Sequence, residues 1–202
     1  DRELREHCGF AGGRVHFVTH SLDGVLVRAY LAGRRAIEPG RVVMLAPPNR
    51  GSELVDAVAG SWLFGWLLGP TARLLGTDPS SLPNRLGPPS YEVGVIAGTR
   101  ASNLFATRFL PGTSDGTVSL ASTRLEGMRD FVAVPETHVS IKRDPAVAAQ
   151  VLRFLRTGSF RHEAWDQSES GAAAVASWPS PNPRSGIQET ANAAAATTKS
   201  TR

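Results

Sequence analysis

HFVTHSLDGVLVRAY, residues 16–30, changes its hydrophobic period at its centre. Upstream, Arg14-Val15-His16-Phe17-Val18 is a short apolar run with β-branched residues, which predicts a buried strand. Downstream, Leu22, Val25, Leu26 and Ala29 fall at i, i+3, i+4 and i+7. That spacing predicts a helix with those side chains facing the core, ending near Gly33. Ser21 therefore stands on a sharp strand-to-helix turn. Its hydroxyl is pushed outward there, above a helix N-terminus whose dipole favours developing negative charge.

Working outward, Arg41-Val42-Val43-Met44-Leu45-Ala46 predicts a second buried strand, stopped by Pro47-Pro48. A third is expected at Tyr91 to Ala97 and a fourth at Asp130 to Val134. Between these lies a loop rich in turn residues, Pro111-Gly112-Thr113-Ser114-Asp115-Gly116-Thr117. Asp144-Pro145 signals the start of a last helix, an acidic cap followed by proline at the first position. Val147, Val151, Phe154 and Leu155 share one face of it up to about Gly158. Short apolar strands alternating with helices predict an α/β fold, a mostly parallel sheet with helices on both faces. Sites in such sheets lie at the carboxyl ends of the strands. The expected organisation is one domain over residues 1–160, with a cap insertion over about 51–89. Residues 161–202 form a low-complexity tail of Ala, Ser, Thr, Pro and Asn that cannot offset its ordering entropy by burial and is expected to be disordered.

The totals narrow the function classes. The chain has 202 residues, 41% of them apolar, which is enough for one core of ordinary size. Its net charge of +4 is spread without a basic run, so nucleic acid is not an expected partner. The longest apolar stretch, Trp62 to Leu68, is far short of the roughly 20 residues of a membrane span. The single cysteine, Cys8, excludes an internal disulfide, and no ligand spacing suggests a metal site. The charged start, Asp1 to Glu6, is unlike a signal peptide, and with one cysteine it favours a reducing, cytoplasmic setting.

A serine hydroxyl is a weak nucleophile unless a base takes its proton, and that base needs an orienting acid. His138 follows the fourth strand in Pro135-Glu136-Thr137-His138 and is the best candidate base. Asp115, flanked by glycine in the loop after the third strand, is the best candidate acid. The plainer readings are a turn serine, an Asx-turn aspartate and a packed histidine. Among the rivals, His16 lies within a strand and His20 packs in the elbow. His7 and His162 are near the ends, and Asp130 and Asp144 read as caps.

These segments occur in an informative order. His16 to Tyr30 is followed by Val43 to Glu53 (VMLAPPNRGSE), Gly94 to Thr99 (GVIAGT), Ser114 to Val118 (SDGTV) and Glu136-Thr137-His138. Over residues 13–160 the chain resembles the α/β-hydrolase superfamily, in particular bacterial esterases and lipases. The resemblance implies hydrolysis of carboxylic esters through an acyl-serine, without a cofactor. It implies Ser21 as nucleophile, Asp115 and His138 as its partners, and the Leu22 backbone N–H as an oxyanion donor.

Two residues depart from the Gly-x-Ser-x-Gly turn of that family: Thr19 and Asp23 stand where glycines do, while Gly24 remains. Thr19 overpacks a close approach, at about 1–3 kcal/mol. A carboxylate at about 6 Å in an effective dielectric of about 20 would oppose an oxyanion by roughly 3 kcal/mol, unless it points to water. The segment before Arg14 also lacks the family's first strands and the loop with the second oxyanion donor, so the fold is expected to be truncated on that side. The chain is then a fragment of a longer hydrolase, a degenerate homologue acting by binding, or a unit that completes its sheet by pairing through the exposed strand edge. The expected ligands are small esters or lipids. Trp62, Phe64 and Trp66, in Ser61 to Leu68, are the expected substrate contacts, either on a mobile lid or on a helix packed permanently on the sheet.

Overall fold

The structure, a computed structural model, describes residues 13–33, 37–58, 75–101 and 107–162. Strand β1 (Arg14–His20) runs through the Ser21 turn into helix α1 (Leu22–Ala32). Strand β2 (Glu38–Leu45) follows, then helix α2 (Glu53–Val58) and the single turn α3 (Leu82–Arg85). Strand β3 (Val93–Gly98), the short helix α4 (Leu120–Thr123) and strand β4 (Asp130–Val134) come next. A 3-10 turn (Ser140–Lys142) leads into helix α5 (Pro145–Thr157).

The strands form one parallel sheet in the order β1-β2-β3-β4. Successive strand side chains point to opposite faces, so each central strand feeds two cores. Val43, Leu45, Ile96 and Val134 pack under α5 through Val147, Val151 and Phe154. Val42, Met44, Val93 and Val95 pack with Leu31 of α1 on the other face. The β2 strand begins earlier than its apolar run suggests, because Arg14 of β1 still pairs with Glu38. A register shift between Val15 and Phe17 falls beside His16, whose Nδ1 accepts the Arg41 N–H at 2.8 Å.

The ends of α5 show how local chemistry fixes an element. The Asp144 carboxylate accepts the N–H groups of Ala146 and Val147 at 2.7 and 3.0 Å. Gly158 then takes φ 78° and donates its N–H to the Phe154 carbonyl, a left-handed stop. Beyond it, Gln150 exchanges two hydrogen bonds with the Arg161 backbone, and His162 Nε2 meets Asp130 Oδ1 at 2.8 Å. The described residues continue through His162; residues 163–202 of the expected tail lie outside them.

Helix α1 is rotated from the phase its apolar spacing predicts. Its buried residues are Gly24, Val25, Arg28 and Leu31, whereas Leu26 is exposed. Two contacts set that rotation. Gly24 sits against Pro47 and Met44, where a Cβ would lie 3.1 Å from Pro47 Cβ. The Arg28 guanidinium reaches the carbonyls of Asn49, Pro83 and Gly87 at 3.0 to 3.1 Å. Burial lowers the Arg28 pKa, and carbonyl dipoles replace the water it loses.

Among the described residues, β1 pairs with β2 alone and is an edge of the sheet. Val18 on it is 51% exposed. It borders an apolar groove of about 400 Å³ lined also by Leu45, Ile141, Val147 and Val151.

Candidate functional site

Ser21, His138 and Asp115 meet at the carboxyl end of the sheet. Ser21 has φ 57° and ψ −126°, a region L-residues rarely occupy. Such strain costs about 1–3 kcal/mol and persists only where surroundings enforce it. Here the Ser21 N–H donates to the Leu45 carbonyl at 2.8 Å, and the Ser21 carbonyl accepts from Gly24 N–H at 3.1 Å. The turn is therefore pinned between β2 and the first turn of α1, with the hydroxyl projecting.

His138 follows β4 on a loop held by Thr137 and Ser140. The Thr137 N–H donates to Ser140 Oγ at 2.9 Å, and the Ser140 N–H donates to Thr137 Oγ1 at 3.1 Å. The His138 Nε2 lies 3.0 Å from Ser21 Oγ, and its Nδ1 lies 2.7 Å from Asp115 Oδ2. Side-chain exposure is 12% for His138 and 1% for Asp115, so the pair is largely shielded from water.

Asp115 uses its two oxygens differently. Oδ1 accepts the N–H groups of Thr117 and Val118 at 2.9 and 2.8 Å, the Asx-turn role its Asp-Gly setting suggests. Oδ2 is thereby aimed at the imidazole. The Asp115 carbonyl also accepts the His138 N–H at 3.0 Å. Gly98, at the end of β3, makes room for this crossing. A Cβ there would lie 2.5 Å from the Glu136 carbonyl oxygen and 2.8 Å from Asp115 Cβ. The second glycine of the Gly94-to-Thr99 stretch is thus what lets the aspartate loop sit against the histidine loop.

A hydroxyl, imidazole and carboxylate joined in this way can move a proton off the hydroxyl as it attacks an electrophile. Leu22 is the first residue of α1 and follows Ser21 directly, so its N–H has no partner within the helix and stands at the positive end of the dipole. Trp62, Phe64 and Trp66 lie outside the described residues. Among the described residues no cluster of His, Cys, Asp and Glu could hold a metal ion. No helix among them is long and apolar enough to cross a membrane.

The two departures from glycine have different surroundings. Thr19 is buried, and among the described residues its Oγ1 has no hydrogen-bond partner. It lies 3.4 Å from where a Gly24 Cβ would be, so the close approach of strand and helix falls at Gly24, one residue past Asp23. Asp23 is exposed, where water screens its charge.

His20, read from sequence as a packing residue, does more than pack. Its Nε2 stands 2.8 Å from the His138 carbonyl oxygen, and the two rings are 4.8 Å apart. Desolvation lowers its pKa below the ordinary 6.5, which outweighs the bond to that carbonyl. The one signal available in the sequence was adjacency to Ser21; the partner lies far along the chain.

No protein-family model matches the chain, and no curated protein sequence matches it. Solved structures do. The mature form of the Bacillus licheniformis lipase BlEst2 superposes with a TM-score of 0.55 and 20% identity, over 77% of this chain and 69% of that one. The propeptide form of the same lipase gives 0.60 and 22% identity, over 83% of this chain but only 40% of that one. With the parallel sheet and its helices on both faces, these likenesses show an α/β-hydrolase fold.

Proposed function

We propose that this chain hydrolyses carboxylic esters through an acyl-serine intermediate, acting on small esters or lipids. The observation that carries the reading is the unbroken hydrogen-bonded chain from Ser21 Oγ through His138 to Asp115. Ser21 Oγ attacks the acyl carbon while His138 Nε2 takes its proton. The oxyanion faces the Leu22 N–H at the start of α1. His138 then gives the proton to the leaving alcohol, and a water activated by the same imidazole releases the acid. Asp115 holds Nδ1–H and stabilises the imidazolium. No cofactor is needed for any step. Trp62, Phe64 and Trp66 supply the apolar contacts for the acyl chain in this proposal. The lipase BlEst2, which shares the fold, supports the choice of ester over other acyl substrates.

The test is turnover of a p-nitrophenyl ester series by wild type and Ser21→Ala. Turnover that disappears in Ser21→Ala supports the reading, and equal turnover in both proteins refutes it. The edge of β1, which among the described residues pairs with β2 alone, favours a second reading, in which the fold serves binding and association rather than catalysis. Absence of turnover in wild type, together with a concentration-dependent mass by light scattering, would favour that alternative.

A further inference from the structure

The imidazole of His20 lies beside the proposed proton path without being part of it. Its Nε2 is 2.8 Å from the His138 carbonyl oxygen. A carbonyl only accepts, so Nε2 carries the hydrogen and donates it. His138 is thus held at both of its backbone groups. Its N–H is bound by the Asp115 carbonyl at 3.0 Å, and its carbonyl by His20. His20 directly precedes Ser21, so a single peptide unit links the nucleophile to the group that fixes the base.

Before His138 the loop is held by the Arg100 N–H, which donates to the carbonyl of the buried Glu136 at 3.1 Å; after His138, among the described residues, it is less covered. Val139, next in the chain, is 55% exposed, and the first fully buried anchor is Ile141. The His138 ring makes its bonds to Ser21 and Asp115 only while its own backbone stays in place. We propose that His20 is a positioning residue that holds the His138 backbone so that its imidazole meets the Ser21 hydroxyl. This inference rests on the acyl-serine reading above.

The charges around His20 agree with a neutral donor. Asp23 on α1, Lys142 on the 3-10 turn and the His138 ring act on it, and burial is the dominant influence, favouring the uncharged form. A neutral ring 4.8 Å from His138 places no cation beside the imidazolium that forms during turnover.

The experiment compares His20→Gln, whose terminal amide carries a donor to about the reach of Nε2, with His20→Leu, which has none. Displacing a reacting group by about 1 Å can cost about a hundredfold, so His20→Leu is expected to lose about ten- to a hundredfold in kcat, with KM within about threefold of wild type. His20→Gln is expected to recover most of that loss. Thermal melts establish that each variant is folded. Should His20→Leu not fold, His20→Asn, whose shorter amide does not reach the carbonyl, takes its place with the same expectation. Unchanged kcat in the donor-free variant, or a folded His20→Gln as slow as that variant, overturns the positioning role. Absence of ester turnover in wild type overturns the acyl-serine reading instead, and the two failures are told apart by that control.

Discussion

Replacing Asp115 with asparagine changes one atom and removes one charge. Because Asp115 Oδ1 holds the N–H groups of Thr117 and Val118 at 2.9 and 2.8 Å, an asparagine must keep its oxygen there. Turning the amide over would leave the buried Val118 N–H unpaired, at about 1–3 kcal/mol, and the half-buried Thr117 N–H as well. The NH2 group then faces His138 Nδ1, where the carboxylate oxygen now stands 2.7 Å away. A donor at that point selects the tautomer with hydrogen on Nε2, which cannot take the Ser21 proton. The lost charge adds to this. Charge centres about 4 Å apart in an effective dielectric of about 20 attract by about 4 kcal/mol, near three powers of ten in rate. Asp115→Asn is therefore expected to lower kcat on p-nitrophenyl butyrate by about 10³–10⁴, with folding retained because shape is kept. The assay pairs initial rates with thermal melts. A folded Asp115→Asn protein with kcat within about tenfold of wild type would refute the reasoning, since the effect sought is at least about two powers of ten larger than substrate-binding noise.

Other consequences follow from individual contacts. Gly98→Ala places a Cβ 2.5 Å from the Glu136 carbonyl oxygen and 2.8 Å from Asp115 Cβ, so it should lower the melting temperature and cut kcat more than about tenfold as the two loops separate; normal kinetics would contradict the packing argument. Thr19→Val removes a buried hydroxyl that has no partner among the described residues, and should raise stability by about 1 kcal/mol, or roughly 2–4 °C in Tm for a protein of this size, measured by thermal melts. The His20 pKa is lower folded than its ordinary 6.5, so the unfolded chain takes up the proton first as pH falls. The stability associated with neutral His20 is then complete above that ordinary value and is lost as pH drops through the folded one, and Tm against pH should be flatter in His20→Gln. Parallel curves for the two proteins would contradict it.

Much of the architecture could be read from local pattern. The strand at Asp130–Val134 and the helix at Pro145–Thr157 carry their own boundaries, in a short β-branched run and in the Asp144 and Gly158 caps. The Ser21 turn was legible for the same reason, since the period changes at that residue. The rotation of α1 was not. Arg28 is buried because carbonyls from Asn49, Pro83 and Gly87 converge on it, and no helical periodicity anticipates acceptors from remote loops. Asp115 could be singled out by its Gly-flanked loop, but the division of labour between its oxygens depends on backbone N–H groups that only a folded loop presents. The His20 contact with the His138 carbonyl and the space kept open by Gly98 are likewise products of tertiary crossing.

The central claim is that the Ser21 hydroxyl is made nucleophilic by His138. It is tested most directly by treating the protein with a fluorophosphonate and mapping the adduct by peptide mass spectrometry. The tryptic peptide running from Val15 to Arg28 contains Ser21 as its only serine. The account predicts one phosphonyl group on that peptide, lost in Ser21→Ala and strongly slowed in His138→Ala. An unmodified Val15–Arg28 peptide, or an adduct that persists in Ser21→Ala, would contradict it.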